Sequence, residues 1–363
     1  MNIIIAGGGT GGHLFPGIAI AEAFKEKDPN NNILFVSTGR PVELAILKKS
    51  GYSHRRITAE GIKGRGTWNQ IISLLKIPKG IIDSFLILKE FQCDLVVGVG
   101  SYSSGPVVIA AWLTGIRIAL HEQNILPGIT NRVLSCFADR IYVSFKNTTG
   151  LNQKKLIVTG NPVRKEIRKL SSLSPATEHE NEEKSFTVLI SGGSQGAHSI
   201  NIMMTEALKH ISGKERFFFI HQTGNQDIEA VKSAYTEHGI SCVVKPFFDD
   251  MARQYQQTDL IICRAGATTA AEITAIGKPA IFIPFPFAAD NHQVLNARTL
   301  AQEGAAEMIL QHELTGEILA RRIEYYASNP DSLKIMKEQA EKFGRPDAAE
   351  VIVKDCYNIC QQG

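Results

Sequence analysis

Residues 2–13 read NIIIAGGGTGGH, and this short stretch predicts the architecture of the whole chain. Asn2–Ala6 is an apolar run typical of a buried strand, residues 7–12 are nearly all glycine, and Pro16–Lys27 has helical periodicity. A strand, a glycine turn and a helix in this order are typical of α/β domains with a parallel sheet. Glycine permits positive φ and lets main-chain N–H groups approach an anion, which the start of the next helix also attracts.

The same alternation of apolar runs and helical segments continues through both halves of the chain. The two halves are separated by residues 171–185, SSLSPATEHENEEKS, which we interpret as a solvated linker because it has almost no apolar residue. A strand and a glycine turn return at residues 186–197. We therefore predict an α/β chain of two doubly wound domains and a last helix at 346–360. The other strands are predicted at 33–37, 94–99, 117–120, 140–143, 156–158, 217–221, 242–245, 260–263 and 280–284.

Composition excludes several classes of protein. Of the 363 residues 44% are hydrophobic and 21% charged, which indicates a folded globular chain. The net charge of +3 is too small to predict a nucleic-acid partner. Six scattered cysteines are predicted to be buried, reduced thiols of a cytosolic protein. No signal peptide and no apolar window of the ~20 residues that a membrane span needs are found.

Glycine-rich loops follow three of the predicted strands. The first matches G-x-G-x-x-G, but the carboxylate that a dinucleotide site expects about 20 residues further on is missing from Val36–Arg40. Arg40 still leaves an NADP-dependent oxidoreductase as an alternative. A second loop at 191–197 adds the hydroxyl of Ser194, and a third lies at 98–106. Three such loops in two α/β domains predict a ligand that lies in a cleft and touches both domains.

Polar residues at the ends of predicted strands are candidates for chemistry. His121-Glu122-Gln123-Asn124 is either a solvated loop with a helix cap or a cluster that binds sugar hydroxyls or positions a base. His13, at the start of a helix, serves either as a general base or as a hydrogen-bonding residue of the cleft.

A second set of candidates lies in the other half. Thr268 and Thr269 start a helix and suit a diphosphate, and Glu272 suits a ribose diol; the alternative is an ordinary first turn of a helix. Asp290, Asn291 and Gln293 suit sugar recognition, or they belong to a capped loop. No spacing of His, Cys, Asp or Glu is typical of a metal site, so neither a metal nor another cofactor is expected.

Residues 55–89 combine bulky apolar and basic side chains in excess of what one core-facing stripe needs. They form either a pair of core helices with a solvated basic rim or a face that enters an anionic membrane interface. Trp112 is a further candidate for such a face.

Taken together and in order, the motifs resemble the MurG family, bacterial UDP-N-acetylglucosamine (UDP-GlcNAc):lipid I N-acetylglucosaminyltransferases of peptidoglycan synthesis. The resemblance spans almost the whole chain. It is carried by 9–13, 105–106, 121–124, 160–164, 192–197, 248–251, 266–272 and 290–293.

The resemblance implies a GT-B fold and inverting transfer of GlcNAc to the MurNAc 4-hydroxyl of lipid I, which forms lipid II. It implies an acceptor and membrane-associating domain at 1–162, joined by the helix at 345–363, and a UDP-GlcNAc domain at 163–344. Its implied location is the cytoplasmic face of the cell membrane, on anionic inner-leaflet lipid, with other cell-wall synthesis proteins as further partners. The alternatives are the same chemistry on another lipid or small-molecule acceptor, or a UDP-GlcNAc 2-epimerase.

Residue by residue, the resemblance implies a set of donor-binding positions. Phe248 would present its backbone to uracil, Glu272 would hold the ribose, and Asn124 and Gln293 would contact GlcNAc. The catalytic base is predicted to be His13, with Glu122 as the second choice. The donor-binding set is Thr10, Gly11, Gly12, Asn124, Arg164, Ser194, Phe248, Ala267, Thr268, Thr269, Ala270, Ala271, Glu272 and Gln293.

Two positions depart from the family pattern. Ser101 stands where the family often has a second glycine of the acceptor loop, and His292 stands where a glutamine often precedes Gln293.

Overall fold

The computed structural model describes residues 1–9, 11–61, 76–172, 185–193 and 196–361. The chain divides into two compact units, of which unit 1 is Met1–Lys165 with Arg345–Gly363 and unit 2 is Glu166–Gly344. The division falls slightly after the boundary predicted at residue 162. The roles assigned to the two domains stay predictions.

Unit 1 begins with a seven-stranded sheet and the helices that alternate with its strands. The strands are β1 (Asn2–Ala6), β2 (Asn32–Ser37), β3 (Ser53–Arg56), β4 (Leu95–Gly98), β5 (Arg117–Glu122), β6 (Arg140–Val143) and β7 (Leu156–Val158). The helices are α1 (Gly11–Lys27), α2 (Pro41–Lys49), α3 (Ile77–Glu90), α4 (Ser104–Leu113) and α5 (Ile129–Leu134).

Unit 2 repeats this plan with six strands. The strands are β8 (Phe186–Ser191), β9 (Phe217–Gln222), β10 (Ser241–Lys245), β11 (Leu260–Cys263), β12 (Ala280–Phe282) and β13 (Glu307–Met308). The helices are α6 (Lys165–Ser172), α7 (His198–Ala207), α8 (Ile228–Glu237), α9 (Met251–Gln257), α10 (Ala267–Ala275), α11 (His292–Gln302), α12 (Gly316–Ser328) and α13 (Pro330–Phe343), and α14 (Ala348–Gln361) returns to unit 1.

Both sheets are doubly wound. Their strand orders are β3-β2-β1-β4-β5-β6-β7 and β10-β9-β8-β11-β12-β13, and the pairings are parallel. Alternate side chains of β1 face opposite sides, so that Ile3 and Ile5 pack with α1 and α14 while Ile4 packs with α4. The prediction of two doubly wound α/β units is therefore confirmed.

The topology determines where the loops meet. In each sheet the connections diverge between two neighbouring strands, β1 and β4 in unit 1 and β8 and β11 in unit 2. A ligand crevice in such sheets opens at the carboxyl ends of these two strands. Each glycine loop predicted from the sequence follows one of them.

Several expectations need correction. β5 extends to Glu122 and not only to the predicted end at Leu120, so His121 and Glu122 belong to the strand and are buried, and of the two alternatives for residues 121–124 the solvated loop is wrong for these two. Cys136 is exposed, contrary to the prediction of buried thiols. Among the described helices, none has the length and apolar character that crossing a bilayer requires.

Candidate active site

The first glycine loop, residues 7–12 between β1 and α1, is held by a buried carboxylate. Gly7 and Gly9 have φ of +144° and +105°, which side chains rarely adopt. Glu43, 1% exposed, accepts hydrogen bonds from the Gly9 N–H and, at 3.0 Å, from the Arg40 N–H. Sequence reasoning missed Glu43, because one glutamate in an amphipathic helix has no distinctive pattern. Thr10 lies outside the described residues.

Gly11 and Gly12 form the first turn of α1, which lies beside one aromatic side chain, Phe15, and one basic side chain, Arg164. A Cβ at Gly11 would lie 2.8 Å from the Phe15 ring, which explains the glycine there. The Arg164 guanidinium lies over the same ring, 4.9 Å from its centroid. The structure therefore brings together Gly11 and Arg164, two positions predicted to bind donor, through Phe15.

The loop after β4 turns with two consecutive left-handed residues. Gly100 and Ser101 have φ of +89° and +71°. Ser101, one of the two departures from the family pattern, thus occupies a conformation that glycine adopts without strain and a serine adopts at a cost of roughly 1–2 kcal/mol. A Cβ at Gly100 would lie 3.0 Å from Nδ1 of His13, so this turn packs directly on the candidate base.

His13 is held in one tautomer by a buried hydrogen-bond network. Its Nδ1 lies 3.1 Å from the Val99 carbonyl oxygen and 3.0 Å from Oε1 of Gln123. Gln123 in turn donates through Nε2 to Val99 O at 2.8 Å and to Nδ1 of His121 at 3.1 Å. Two acceptors at Nδ1 of His13 require its proton there, which leaves the lone pair of neutral His13 on Nε2.

His121 completes this network as a neutral ring. It is fully buried, and burial lowers its pKa to about 4. Its Nδ1 accepts from Gln123, so its Nε2 carries the proton and faces the Gly160 carbonyl at 3.4 Å. The network fixes the orientation of the Gln123 amide, and this amide, together with the Val99 carbonyl, fixes the tautomer of His13.

Glu122 has four N–H partners. Its Oε1 accepts from the backbone N–H of Asn124 at 3.0 Å and from Nδ2 of Asn124 at 3.3 Å. Its Oε2 accepts from the Gly128 N–H at 3.1 Å and from Asn131 Nδ2 at 2.9 Å. The carboxylate therefore organises the loop that carries Asn124, and this arrangement favours His13 over Glu122 as a base.

The second glycine loop, residues 192–197, is named here the phosphate loop. Gly193 and Gly196 have φ of +83° and +78°. A Cβ at Gly192 would collide with the backbone of Ala197, the residue before α7, so these two residues lie in close contact. Ser194 lies outside the described residues.

Helix α10 carries the largest group of predicted donor contacts. It begins directly after Gly266, whose backbone is extended, and Ala267, Thr268 and Thr269 form its first turn at the carboxyl end of β11. Ala270 and Ala271 continue the helix. Main-chain N–H groups at such a helix start favour a negatively charged ligand.

Glu272, also on α10, is only 3% exposed and is oriented by a tyrosine. The hydroxyl of buried Tyr255 donates to its Oε2 at 3.3 Å. Phe248, 5% exposed, lies in the segment 246–250 between β10 and α9. We call this segment the base loop, after the uracil base that Phe248 is predicted to contact. Sequence reasoning missed Tyr255, which lies in an unremarkable polar helix.

The segment 284–293 leads from β12 into α11 and carries Gln293. Oε1 of Gln293 accepts the Phe285 N–H at 3.0 Å, which directs its amide donors elsewhere. Asp290 and Asn291 both have left-handed φ, +53° and +54°. His292, the second departure from the family pattern, lies 2.7 Å through Nδ1 from the Ala289 carbonyl and so contributes to this turn.

Arg264 holds the start of the same segment through hydrogen bonds to its main chain. Its guanidinium donates to the carbonyls of Ile283 and Pro284, at 3.0 and 3.2 Å, and to the hydroxyl of Ser199 at 2.8 Å. Burial lowers its pKa to about 10, so it remains protonated at neutral pH. Among the residues that the structure describes, no group of three or more His, Cys, Asp and Glu side chains is placed to hold a metal ion.

The chain is similar to known proteins over almost its whole length. The glycosyltransferase family 28 N-terminal domain matches residues 3–143, and the family 28 C-terminal domain matches residues 187–352. A protein of Geobacter metallireducens named UDP-N-acetylglucosamine--N-acetylmuramyl-(pentapeptide) pyrophosphoryl-undecaprenol N-acetylglucosamine transferase is 46% identical over 98% of both chains. A protein of the same name from Myxococcus xanthus is 44% identical over 100% of this chain and 94% of its own.

Solved structures give the same result. The crystal structure of MurG from Acinetobacter baumannii superposes with a TM-score of 0.79 at 31% identity, covering 100% of this chain and 99% of the other. A UDP-GlcNAc 2-epimerase from Neisseria meningitidis, bound to UDP-GlcNAc, reaches a TM-score of 0.69 at 13% identity, covering 99% and 100%. The second likeness shows a shared fold alone.

Proposed function

Because the chain belongs to the family of UDP-N-acetylglucosamine--N-acetylmuramyl-(pentapeptide) pyrophosphoryl-undecaprenol N-acetylglucosamine transferases, we propose that it makes lipid II. It transfers GlcNAc from UDP-GlcNAc to the MurNAc 4-hydroxyl of lipid I, with inversion at the anomeric carbon. The observation that carries this is identity of 44–46% over 98–100% of the chain, far above the 13% shared with the epimerase.

The reaction needs a base for the acceptor hydroxyl. The 4-hydroxyl oxygen attacks the anomeric carbon of GlcNAc, the bond from that carbon to the β-phosphate oxygen breaks, and UDP leaves with the electron pair. We assign the hydroxyl proton to Nε2 of His13. The ring is prepared for this because the contacts of Nδ1 with Val99 O and Gln123 Oε1 keep the lone pair on Nε2. The same two oxygens then stabilise the imidazolium.

The reaction also needs stabilisation of the departing diphosphate. We assign this to the main-chain N–H groups of the phosphate loop and of the first turn of α10, Ala267 to Thr269, both at the carboxyl ends of the two diverging strands of unit 2. Such N–H groups stabilise developing negative charge because they are oriented before the reaction starts. Glu272 holds the ribose diol with one carboxylate oxygen while Tyr255 orients the other.

A membrane-bound acceptor requires that the enzyme reach the bilayer surface, and unit 1 has a suitable face. Helices α3, α4 and α5 expose large apolar side chains, which we call the apolar face: Ile82, Phe85, Leu86, Trp112, Leu113, Ile129 and Val133. On α3, Lys79 and Lys89 flank Ile82 and Leu86 at helical spacing along one stripe. Apolar residues bordered by lysine suit an anionic interface.

We therefore propose peripheral attachment to the cytoplasmic face of the bacterial cell membrane through the apolar face. Trp68 and the rest of 62–75, for which core helices and a membrane face were both left open, lie outside the described residues.

The test is transfer from labelled UDP-GlcNAc to lipid I in mixed micelles. We expect label in lipid II and one UDP released per transfer. Parallel reactions contain diacylglycerol as the acceptor or no acceptor at all. Label on diacylglycerol but not on lipid I, or acceptor-free conversion to UDP-ManNAc, would contradict the proposal and support another acceptor or an epimerase.

A further inference from the structure

The strand β9 lies between β8 and β10 in the sheet of unit 2, so its carboxyl end separates the phosphate loop from the base loop. The last residue of β9 is Gln222, which is 2% exposed. Its Oε1 accepts the Phe248 N–H at 3.0 Å, and its Nε2 donates to the Gly193 carbonyl at 2.9 Å. One buried side chain therefore joins the two loops.

The backbone beside Gln222 supports both loops as well. The Thr223 N–H donates to the Lys245 carbonyl at 3.1 Å, and the Gly224 N–H donates to the Pro246 carbonyl at 3.0 Å. On the other side, Gly196 packs so closely on the Thr223 carbonyl that no Cβ would fit. Both loops thus rest on residues 222–224, and Gln222 supplies the side-chain contact to each.

We propose that Gln222 is a positioning residue that sets the spacing of the phosphate loop and the base loop, so that both ends of uridine diphosphate bind at once. The inference rests on the proposed function, because it takes the diphosphate and the uracil as the groups that these loops hold. Gln222 acts through Gly193 and Phe248 and not through the ligand.

The same contact decides which atom of Phe248 meets the base. Since its N–H donates to Gln222, that N–H is not available to a uracil carbonyl, and the Phe248 carbonyl oxygen is left as the main-chain group that can accept from the uracil N3–H. Without Gln222, the N–H loses its partner and the base loop loses its orientation. A buried polar group left without a partner is costly, so the loops would rearrange.

The test compares Gln222→Met with Thr258→Val. Methionine keeps the length of the side chain but removes the hydrogen bonds to both loops, together with the longer one from Nε2 to Ser191 Oγ at 3.5 Å. Thr258 is fully buried in the same unit and donates to the Gln254 carbonyl at 2.6 Å, at the amino end of β11 and away from both loops. The control therefore loses a buried hydrogen bond without touching the loops.

We expect Gln222→Met to weaken UDP binding and raise the donor KM about tenfold, ~1.4 kcal/mol, while kcat at saturating donor stays within about twofold. We expect Thr258→Val to leave both constants unchanged. In the free protein, hydrogen exchange of the 246–250 backbone should accelerate in Gln222→Met but not in Thr258→Val.

Two results would overturn the inference. One is an unchanged donor KM in Gln222→Met; the other is accelerated exchange over all of unit 2 in both variants, which would indicate general destabilisation. If the unsubstituted protein did not bind UDP, the proposed function would fail, whereas the exchange comparison would still report whether Gln222 holds the base loop.

Discussion

Replacing Ile82 and Leu86 together with serine should release the protein from anionic vesicles. Both side chains project from α3 on the apolar face and are 60% and 59% exposed. Their exposed surface is available for insertion, and neither contributes to the buried cores of unit 1. The substitution therefore removes membrane affinity without removing core packing.

The exposed fractions give the size of the effect. Full burial of one such side chain is worth ~1.5–3 kcal/mol, so three-fifths of it is worth ~1–2 kcal/mol for each residue. Losing both costs about 2–3.5 kcal/mol, which lowers the vesicle partition coefficient roughly 30- to 300-fold. Lys79 and Lys89 each add about 1 kcal/mol near an anionic surface, so some salt-sensitive binding should remain.

The assay is co-sedimentation with vesicles of phosphatidylglycerol and phosphatidylcholine. The matched control is Ile202→Ser with Ile335→Ser, two isoleucines of unit 2 that are 44% and 57% exposed. We expect the control to bind vesicles like the unsubstituted protein. An equal loss in both variants, or undiminished binding of the α3 variant, would refute the assignment of the membrane contact to the apolar face.

The other predictions concern the candidate site. His13→Ala should lower kcat by at least about 100-fold while UDP binding by calorimetry stays unchanged, because the base acts on the acceptor; turnover near normal would remove it from that role. Gln123→Met should lower kcat about tenfold at constant donor KM, since His13 keeps only the Val99 carbonyl as an acceptor at Nδ1 and its ring is held less firmly; a change in KM alone would contradict this. Tyr255→Phe should raise the donor KM about three- to tenfold by freeing the Glu272 carboxylate, and an unchanged KM would show that the ribose contact does not need Tyr255. Ser101→Gly should raise the free energy of unfolding by about 0.5–1 kcal/mol in urea titration, because relief of the left-handed strain exceeds the entropy that glycine adds to the unfolded chain; a destabilised variant would refute it.

Local sequence predicted most strands well and missed two edge strands, β3 and β13. β1, β6, β7 and β11 begin and end at the predicted residues, because each contains a continuous apolar run. This holds for β7 as well, although it is the last strand of its sheet. β3 was missed because its sequence, SHRR, has no apolar residue; it is a strand because it pairs with β2 at the edge of the sheet. β13, two residues long at the edge of the sheet in unit 2, was missed because Glu307–Met308 is too short to form an apolar run.

The sequence also predicted where the site lies but not what holds it. Glycine turns after apolar runs are visible in any window, and the topology then brings each of them to the carboxyl end of a diverging strand. The burial of His121 and Glu122 was harder to predict, since polar residues at the end of a strand usually indicate exposure to solvent. They are buried because Gln123, Gly128 and Asn131 provide hydrogen bonds, and such partners are identified only in three dimensions.

The side chains that hold these loops make the same kind of contact. Among the described residues, several buried or half-buried side-chain oxygens accept a main-chain N–H of a loop at the carboxyl end of a sheet, and four of these contacts lie in the candidate site. The pairs are Glu43 with Gly9, Glu122 with Gly128, Gln222 with Phe248, and Gln293 with Phe285.

Each oxygen accepts from one main-chain N–H, so that this N–H does not bind the ligand, and the hydrogen bond also restricts the conformation of the loop. A loop held in this way has less conformational entropy to lose when a sugar nucleotide binds, so more of the contact energy appears as affinity. The glycines permit the backbone to approach the ligand closely. The acceptors on neighbouring elements hold that backbone in one conformation. For this reason, substitutions at these four acceptors should affect substrate binding more than their distance from the ligand would suggest.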